Sequence, residues 1–260
     1  MPGIAVRFYG PFIYVAPPRS SHTYRPTLPI PAPSTALGAL IARMNEISPI
    51  DEKAVVYTGG IKRNDDVAKK RTERLQNKLY IGVSPLPGYL YATGRILRKL
   101  LMVLKNEERS NALAHEIAFV PAFDVAIYTE DEELFELASK ALRTVTRIGN
   151  SESLVTAVRA FDVVKSDSRK AYGVIPARFV ENVTELYLMR ANVLPLAKLE
   201  EELMAFSLTP CEKGTLETKE LTLKEPIPQD VLVVEYDGMT VALNRVPSLK
   251  KQTQKKGRRS

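Results

Sequence analysis

The chain has 260 residues, 45% hydrophobic and 26% charged, with a net charge of +7 and one cysteine. These values exclude a disulfide scaffold and a low-complexity chain, and no run of about 18 apolar residues is present to cross a membrane. The N-terminus lacks the apolar core of a signal peptide, so a cytoplasmic protein is expected, with Cys211 an inert thiol.

Ile4, Val6 and Phe8 alternate with Ala5, Arg7 and Tyr9, the pattern of a half-buried strand. Phe8 is expected in the core and Tyr9 at the surface. Gly10-Pro11 breaks the strand, and Phe12–Val15 extends it. Residues 16–44 then join two unlike halves. Pro17, Pro18, Pro26, Pro29, Pro31 and Pro33 hold the first half extended, around the donor-rich run Arg19, Ser20, Ser21, His22, Thr23, Tyr24, Arg25. The second half is a helix capped by Ser34, with Leu37, Leu40, Ile41 and Met44 at helical spacing. A rigid donor-rich loop running onto a helix N-terminus suits an anionic ligand, and equally a polar crossover loop.

Ala54–Thr58 reads as a strand stopped by Gly59-Gly60. Residues 61–80 hold Lys62, Arg63, Lys69, Lys70, Arg71, Arg74 and Lys78 against three acids, so this stretch is expected to leave the core as an arm. Arg95–Lys105 is apolar enough to return to the body, as strand or helix. Strands are expected at Glu116–Ala118 and Phe123–Tyr128. Four acids, Glu130 to Glu133, then open a helix with the stripe Leu134, Leu137, Ala138, Ala141, Leu142 and Val145. Acids in a first turn and bases at Arg143–Arg147 complement the helix dipole. The stop is read at Ile148-Gly149-Asn150-Ser151, and the mostly apolar Leu154–Val164 as a central strand.

Strand, helix, strand, excursion, strand, helix, strand over residues 4–164 is a ferredoxin-like plan. The fold expected is therefore α+β: a ferredoxin-like domain over 1–165 with an arm at about 61–112, a smaller β-rich unit over 166–249, and a basic tail over 250–260. In the β-rich unit, strands are read at Thr215–Leu223, Val231–Glu235 and Met239–Arg245, the last two joined by an Asp237-Gly238 turn, with a short helix near Leu196–Phe206. The last eleven residues carry six bases and no acid, so residues 1–249 have a net charge of only +1. Such a tail adds general attraction to nucleic acid or membrane surfaces.

Two segments carry a resemblance. Thr23–Met44, through Pro29, Pro31, Pro33, Ser34, Thr35, Leu37, Gly38 and Leu40, resembles the N-terminal signature of the subunit that caps the crRNA 5′ end in type I CRISPR effector complexes. Arg147–Ala157 (RIGNSESLVTA) is similar to a helix-Gly-loop-strand junction in that CRISPR-associated "Cas-five" family of the RAMP superfamily, nearest its archaeal subtype I-A branch. The resemblance implies a non-catalytic RNA-binding subunit for antiviral defence, holding the crRNA 5′ handle and docking on the backbone and large subunits. The RNA-binding residues it implies are Arg19, Ser20, His22, Tyr24, Arg25, Ser34, Lys62, Arg63, Lys69, Lys70, Arg71, Arg147, Gly149, Asn150 and Ser151. Lys and Arg would hold phosphates, with bases held by stacking and 2′-OH contacts. The glycine-rich loop of other RAMP proteins is reduced here to Gly149, and Ala171-Tyr172-Gly173 is the comparable C-terminal fragment.

Two other readings stay open. Some relatives cut precursor crRNA without metal, using Tyr, His and Lys, and His22 beside Tyr24 supplies two of those types. His115, between apolar stretches, reads as a packed residue. The third reading is a protein-interaction scaffold with incidental basic patches. No P-loop, no GxGxxG after a strand and no Cys/His cluster at zinc spacing occurs, so no cofactor and no metal is expected. Asp124 and Asp162 alone are too few acids for a two-metal nuclease.

Overall fold

The computed structural model describes residues 2–15, 24–49, 65–101, 110–149, 153–193 and 201–247. The strand expected at Ala54–Thr58 and the basic tail lie outside the described residues. The first half of the chain runs β1 (Gly3–Tyr9), β2 (Phe12–Ile13), β3 (Tyr24–Arg25), α1 (Pro33–Ile47), α2 (Asp65–Leu75), β4 (Tyr80–Pro85), β5 (Tyr91–Leu101), β6 (Ser110–Phe119), β7 (Ala122–Tyr128), α3 (Glu132–Arg143), β8 (Thr156–Asp162) and β9 (Val164–Lys165). The remainder is β10 (Lys170–Ala171), β11 (Val174–Pro176), β12 (Tyr187–Asn192), β13 (Glu201–Phe206), β14 (Leu208–Pro210), β15 (Thr215–Thr218), β16 (Leu221–Thr222), β17 (Val231–Tyr236) and β18 (Met239–Arg245).

Alternation in β1 works as its sequence demands. Ile4, Val6 and Phe8 join Val125, Ile127, Ile81 and Val83 in the core under α1 and α3. Leu37, Leu40, Ile41 and Met44 supply the α1 stripe. The N-terminus of α3 is capped by Asp131, whose carboxylate accepts the Leu134 N–H at 3.1 Å, and Glu132, Glu133, Lys140 and Arg143 complement its dipole. Every residue of β7 is buried, because both faces of that strand are covered.

The main sheet has the order β8-β1-β7-β4-β18-β17-β9. Its two outer strands are one stretch of chain interrupted only at Val163, so residues 156–165 pair with β1 at one end and β17 at the other. The sheet thereby rolls towards closure, and Gly3 leaves room where it does: a Cβ there would collide with a Val163 methyl and crowd the Ile127 carbonyl. The hairpin of β17 and β18 covers the face opposite the helices, packing Tyr236, Val241 and Leu243 on Ala5 and Ala126. Its outer face, with Val231, Val233 and Ala242, packs on Ala171, Ile175 and Ala205 of the C-terminal unit. The boundary expected at 165 thus falls inside a continuous sheet rather than at a break in hydrogen bonding.

A second sheet, β14-β15-β5-β6-β2, branches from the first, with β3 parallel to β6. The chain crosses between the sheets at Pro11 between β1 and β2, at residues 86–90 between β4 and β5, and at Pro121 between β6 and β7. Tyr91 fastens the junction: its hydroxyl accepts the Leu86 N–H at 2.7 Å and donates to the Ala122 carbonyl at 2.8 Å.

Several expectations change. The helix cap is Ala32 without a side-chain bond, and Ser34 is buried inside α1 behind Pro33. Leu75, Leu79, Thr72 and Arg71 are buried, so the end of α2 packs on the body instead of projecting. Within the range 61–112, β4 lies in the main sheet, and the excursion is the β5–β6 hairpin. Arg95–Leu101 is strand. Helix α3 stops at Arg143, well before Gly149. The apolar run at Leu154 gives an outer strand with Leu154 and Val158 exposed, and the register shift against Arg7 and Phe8 leaves Val158 as a bulge. Residues 201–206 of the expected C-terminal helix form β13.

Candidate nucleic-acid interface

Arg19, Ser20 and His22 lie outside the described residues, but both ends of their loop are fixed. The Leu28 N–H donates to the Val15 carbonyl at 2.9 Å. The Val15 N–H donates to the Thr27 hydroxyl at 3.1 Å, and that hydroxyl donates to the Leu28 carbonyl at 3.2 Å. The Thr27 N–H in turn donates to the Glu116 carboxylate on β6 at 3.2 Å. Thr27 is fully buried, so its hydroxyl closes the loop neck in a water-free place. Thr27→Val keeps the shape and removes that donor and acceptor. Expected is a stability loss of about 1–3 kcal/mol in urea unfolding, with Thr27→Ser close to wild type; a loss for Thr27→Val below about 0.5 kcal/mol contradicts this role.

The second motif docks on the same neck. The Ser153 hydroxyl accepts the Tyr14 N–H at 2.9 Å and donates to the Tyr14 carbonyl at 3.2 Å. Gly149 sits at φ +125°, and a Cβ there would meet the Tyr14 carbonyl oxygen at 2.8 Å and the Ser153 Oγ at 2.9 Å. The turn is closed by the Ile148 N–H to Ser153 carbonyl bond (3.2 Å) and the Val155 N–H to Thr146 carbonyl bond (3.0 Å). Gly149 is therefore not a helix cap. It lets two segments 135 residues apart in sequence touch at Tyr14, one residue before the loop neck.

On the other side of the neck, β3 pairs with β6, setting Tyr24 opposite Ala114 and Arg25 opposite His115. Across β6, Arg95, Arg98 and Lys99 occupy register positions on β5 opposite Glu116, Leu113 and Ala112. The neck of the opening loop thus meets the Gly149 turn, with exposed Arg147, at Tyr14, and meets β6 of the base-bearing hairpin through Thr27 and β3. Lys62, Arg63, Asn150 and Ser151 lie outside the described residues, and Lys69 and exposed Lys70 belong to α2. Ser34 and Arg71, expected at the RNA, are both buried in the body. Ser34 is enclosed by the core. Arg71 is turned inward, its Nε donating to Asn45 Oδ1 at 2.9 Å and its Nη2 to the Ser48 carbonyl, which ties α2 to the end of α1.

The sheet face opposite the helices is occupied by the chain itself. Arg7 makes a two-pronged contact with the fully buried Asp124 (3.0 and 3.1 Å) and reaches Asp237 at the hairpin tip (3.1 Å). Its guanidinium lies 4.9 Å from the Phe161 ring centroid, with Arg159 at 4.8 Å from the same centroid. Burial pushes the Asp124 carboxyl above the ordinary carboxylate range, opposed by Arg7. The buried Tyr236 phenol is raised well above its usual value, first by burial and then by the Asp124 charge. Asp237 and Gly238, at φ +50° and +72°, form the two-residue turn that brings the carboxylate over. Tyr9, 46% exposed, stands beyond the covered area while Phe8 is fully buried.

No family model and no curated protein matches this sequence. Among solved structures, the crystal structure of a CRISPR protein from Archaeoglobus fulgidus is matched over 94% of this chain and 99% of that one, at 17% identity and a TM-score of 0.54. The chain has the fold of a CRISPR protein. Weaker likenesses link it to a chain of a CRISPR RNA-guided surveillance complex, at 14% identity, 92% and 91% coverage and a TM-score of 0.39. A chain of the type III-B Cmr-beta complex bound to cognate target RNA and AMPPnP is also similar, at 10% identity, 85% and 86% coverage and a TM-score of 0.41.

On this fold, the residues that hold the interface together are ones that sequence reasoning passed over: Tyr14, Thr27, Glu116 and Ser153. The signal available was the proximity of Ser153 to the Gly149 turn and of Thr27 to Pro26. Neither signal names its distant partner. Among the described residues no group of His, Cys, Asp and Glu is arranged to hold a metal, and no helix is long and apolar enough to cross a membrane.

Proposed function

We propose that this chain is a non-catalytic RNA-binding subunit of a type I CRISPR effector complex, of the archaeal I-A kind, that holds the 5′ handle of the crRNA. The observation carrying this reading is that the second segment resembling the handle-capping family docks on Tyr14 through Ser153, while the adjacent Val15 holds Thr27 and Leu28 of the first, next to a base-bearing hairpin. The order β8-β1-β7-β4, with α1 and α3 packed together on one face, supports a ferredoxin-like domain. The β5–β6 hairpin is the element suited to reach along the RNA to a neighbouring backbone subunit, and the exposed aromatic pair Phe12 and Phe119 at its root suits a protein contact. Binding measured with RNA carrying a repeat-derived 5′ handle is expected to exceed binding to a scrambled handle, and to fall steeply with salt. Equal affinity for both RNAs within the assembled complex would falsify handle recognition.

One observation favours a second reading. The β3–β6 register sets His115 opposite Arg25, so a histidine and an arginine share one register position on the same face of the sheet. In that reading the chain cleaves precursor crRNA without metal. Incubation with precursor followed by a denaturing gel separates the two: intact precursor supports the binding subunit, and cleavage abolished by His115→Ala or His22→Ala supports the nuclease.

A further inference from the structure

We propose that the cleft at the opposite end of the main sheet binds a nucleoside 5′-monophosphate, separately from the RNA interface above. Tyr80 and Tyr128 are register partners across β4 and β7, and Arg245 is the partner of Tyr80 across β18. Three adjacent strands therefore present a guanidinium and two phenol rings in one row. The Arg245 guanidinium lies 5.9 Å from the Tyr80 ring centroid, and Lys165 Nζ lies 4.9 Å from that of Tyr128. With Lys78 and Glu130 they border a space of about 520 Å³, within the roughly 300–1,000 Å³ of small-molecule sites.

The charges decide the ligand class. Lys78 and Lys165 are held at 2.9 Å by Asp131 and Glu130 respectively, yet both remain more than half exposed and free to turn to another anion. Arg245 has no carboxylate partner among the described residues; its Nη2 donates to the Asn77 carbonyl at 3.1 Å, and its Nε has no hydrogen-bond partner. One uncompensated cation beside two rings fits a ligand with one anionic end and one planar end. Phosphate goes to Arg245 and the lysines, the base stacks on Tyr80, and the Glu130 carboxylate accepts from sugar hydroxyls. A bare anion would leave the rings unused, and an apolar ligand would leave Arg245 unpaired.

The test is calorimetric titration of the full chain at low salt with 5′-AMP, ribose 5-phosphate and inorganic phosphate. Binding of 5′-AMP is expected, with ribose 5-phosphate about tenfold or more weaker for want of a stacked base. Arg245→Met is expected to weaken 5′-AMP about tenfold or more. Tyr80→Leu is expected to weaken it about as much as removing the base does, with Tyr80→Phe near wild type. Circular dichroism melting checks that each variant is folded. No heat with 5′-AMP, equal binding of ribose 5-phosphate or inorganic phosphate, or normal binding by folded Arg245→Met and Tyr80→Leu would each overturn the proposal. Handle-RNA affinity is measured on the same variants. Its retention keeps the cleft separate from the RNA path, and its loss in folded Arg245→Met makes the cleft part of that path and overturns a separate site.

Discussion

Replacing Arg7 by Met is expected to lower the unfolding free energy at neutral pH by about 3–5 kcal/mol, with a deficit that shrinks as the pH falls. Asp124 is fully buried and its carboxylate is held by two nitrogens of Arg7. Removing the guanidinium leaves an ionised carboxylate in the core beside the Tyr236 phenol, which can offer at most one hydrogen bond. The attraction lost is a Coulombic term of the low-dielectric interior, not the small contribution of a surface pair. Asp237→Asn is the contrast. That carboxylate is 31% exposed at the hairpin tip, and its loss should cost under about 1 kcal/mol.

The pH dependence follows from the direction of the Asp124 shift. Burial already raises this carboxyl in the wild type, and Arg7 is the main influence lowering it. Without Arg7 the folded-state value rises further above the unfolded one. A carboxyl raised on folding favours the folded state while it is protonated in both states, and that contribution is lost as pH rises through the folded-state value. The variant should therefore regain stability relative to wild type as pH is lowered through and below the raised Asp124 value. Urea unfolding of both proteins at neutral and mildly acidic pH reads this directly. An equal deficit at the two pH values would mean that the cost is lost packing on Phe161 rather than a stranded charge.

What the sequence disclosed and withheld divides along the range of the forces involved. The alternation Ile4, Val6, Phe8 and the stripe Leu37, Leu40, Ile41, Met44 are local consequences of strand and helix periods, and they stand where expected. The Asp131 cap and the Asp237-Gly238 turn are equally local. Ser34 misled because a hydroxyl before a helix reads as a cap, whereas the neighbouring prolines carry the chain into the core and start the helix two residues earlier, with Ala32 as its cap. Arg71 misled because its burial depends on Asn45, 26 residues away, and a charge run says nothing about which member turns inward. Leu154–Val164 is apolar enough for a central strand, but the Val158 bulge and the bend at Val163 make it the outer strand that turns back to meet β17. At the interface, the two motifs were legible one at a time. Their joining through Tyr14 and Val15 was not, because the contacts are made by main-chain atoms and the hydroxyls of Ser153 and Thr27, which no composition reveals.

Gly149→Ala tests that meeting most severely, and it is expected to weaken handle-RNA binding about tenfold or more while costing about 1–3 kcal/mol of stability. Two effects combine. At φ +125° the backbone is outside the small left-handed region that even Asn tolerates, and the added methyl would overlap the Tyr14 carbonyl at 2.8 Å. Main-chain atoms on both sides cannot yield as a flexible side chain would, so the turn and the loop neck must separate. Ser153→Ala isolates one part: it removes the two hydrogen bonds to Tyr14 without crowding, and should cost about 1–2 kcal/mol with a smaller loss of affinity. Arg147→Gln isolates another, because this side chain is exposed. If Arg147 neutralises one phosphate, stability should not change and the dependence of log affinity on log salt should flatten by about 0.7–0.9. The informative comparison is Gly149→Ala with Ser153→Ala under conditions where both are fully folded. Affinity falling in step with the displacement of Tyr14 places the junction in the binding surface. Normal affinity in folded Gly149→Ala would reduce the junction to a structural clamp and leave RNA contact to the hairpin alone.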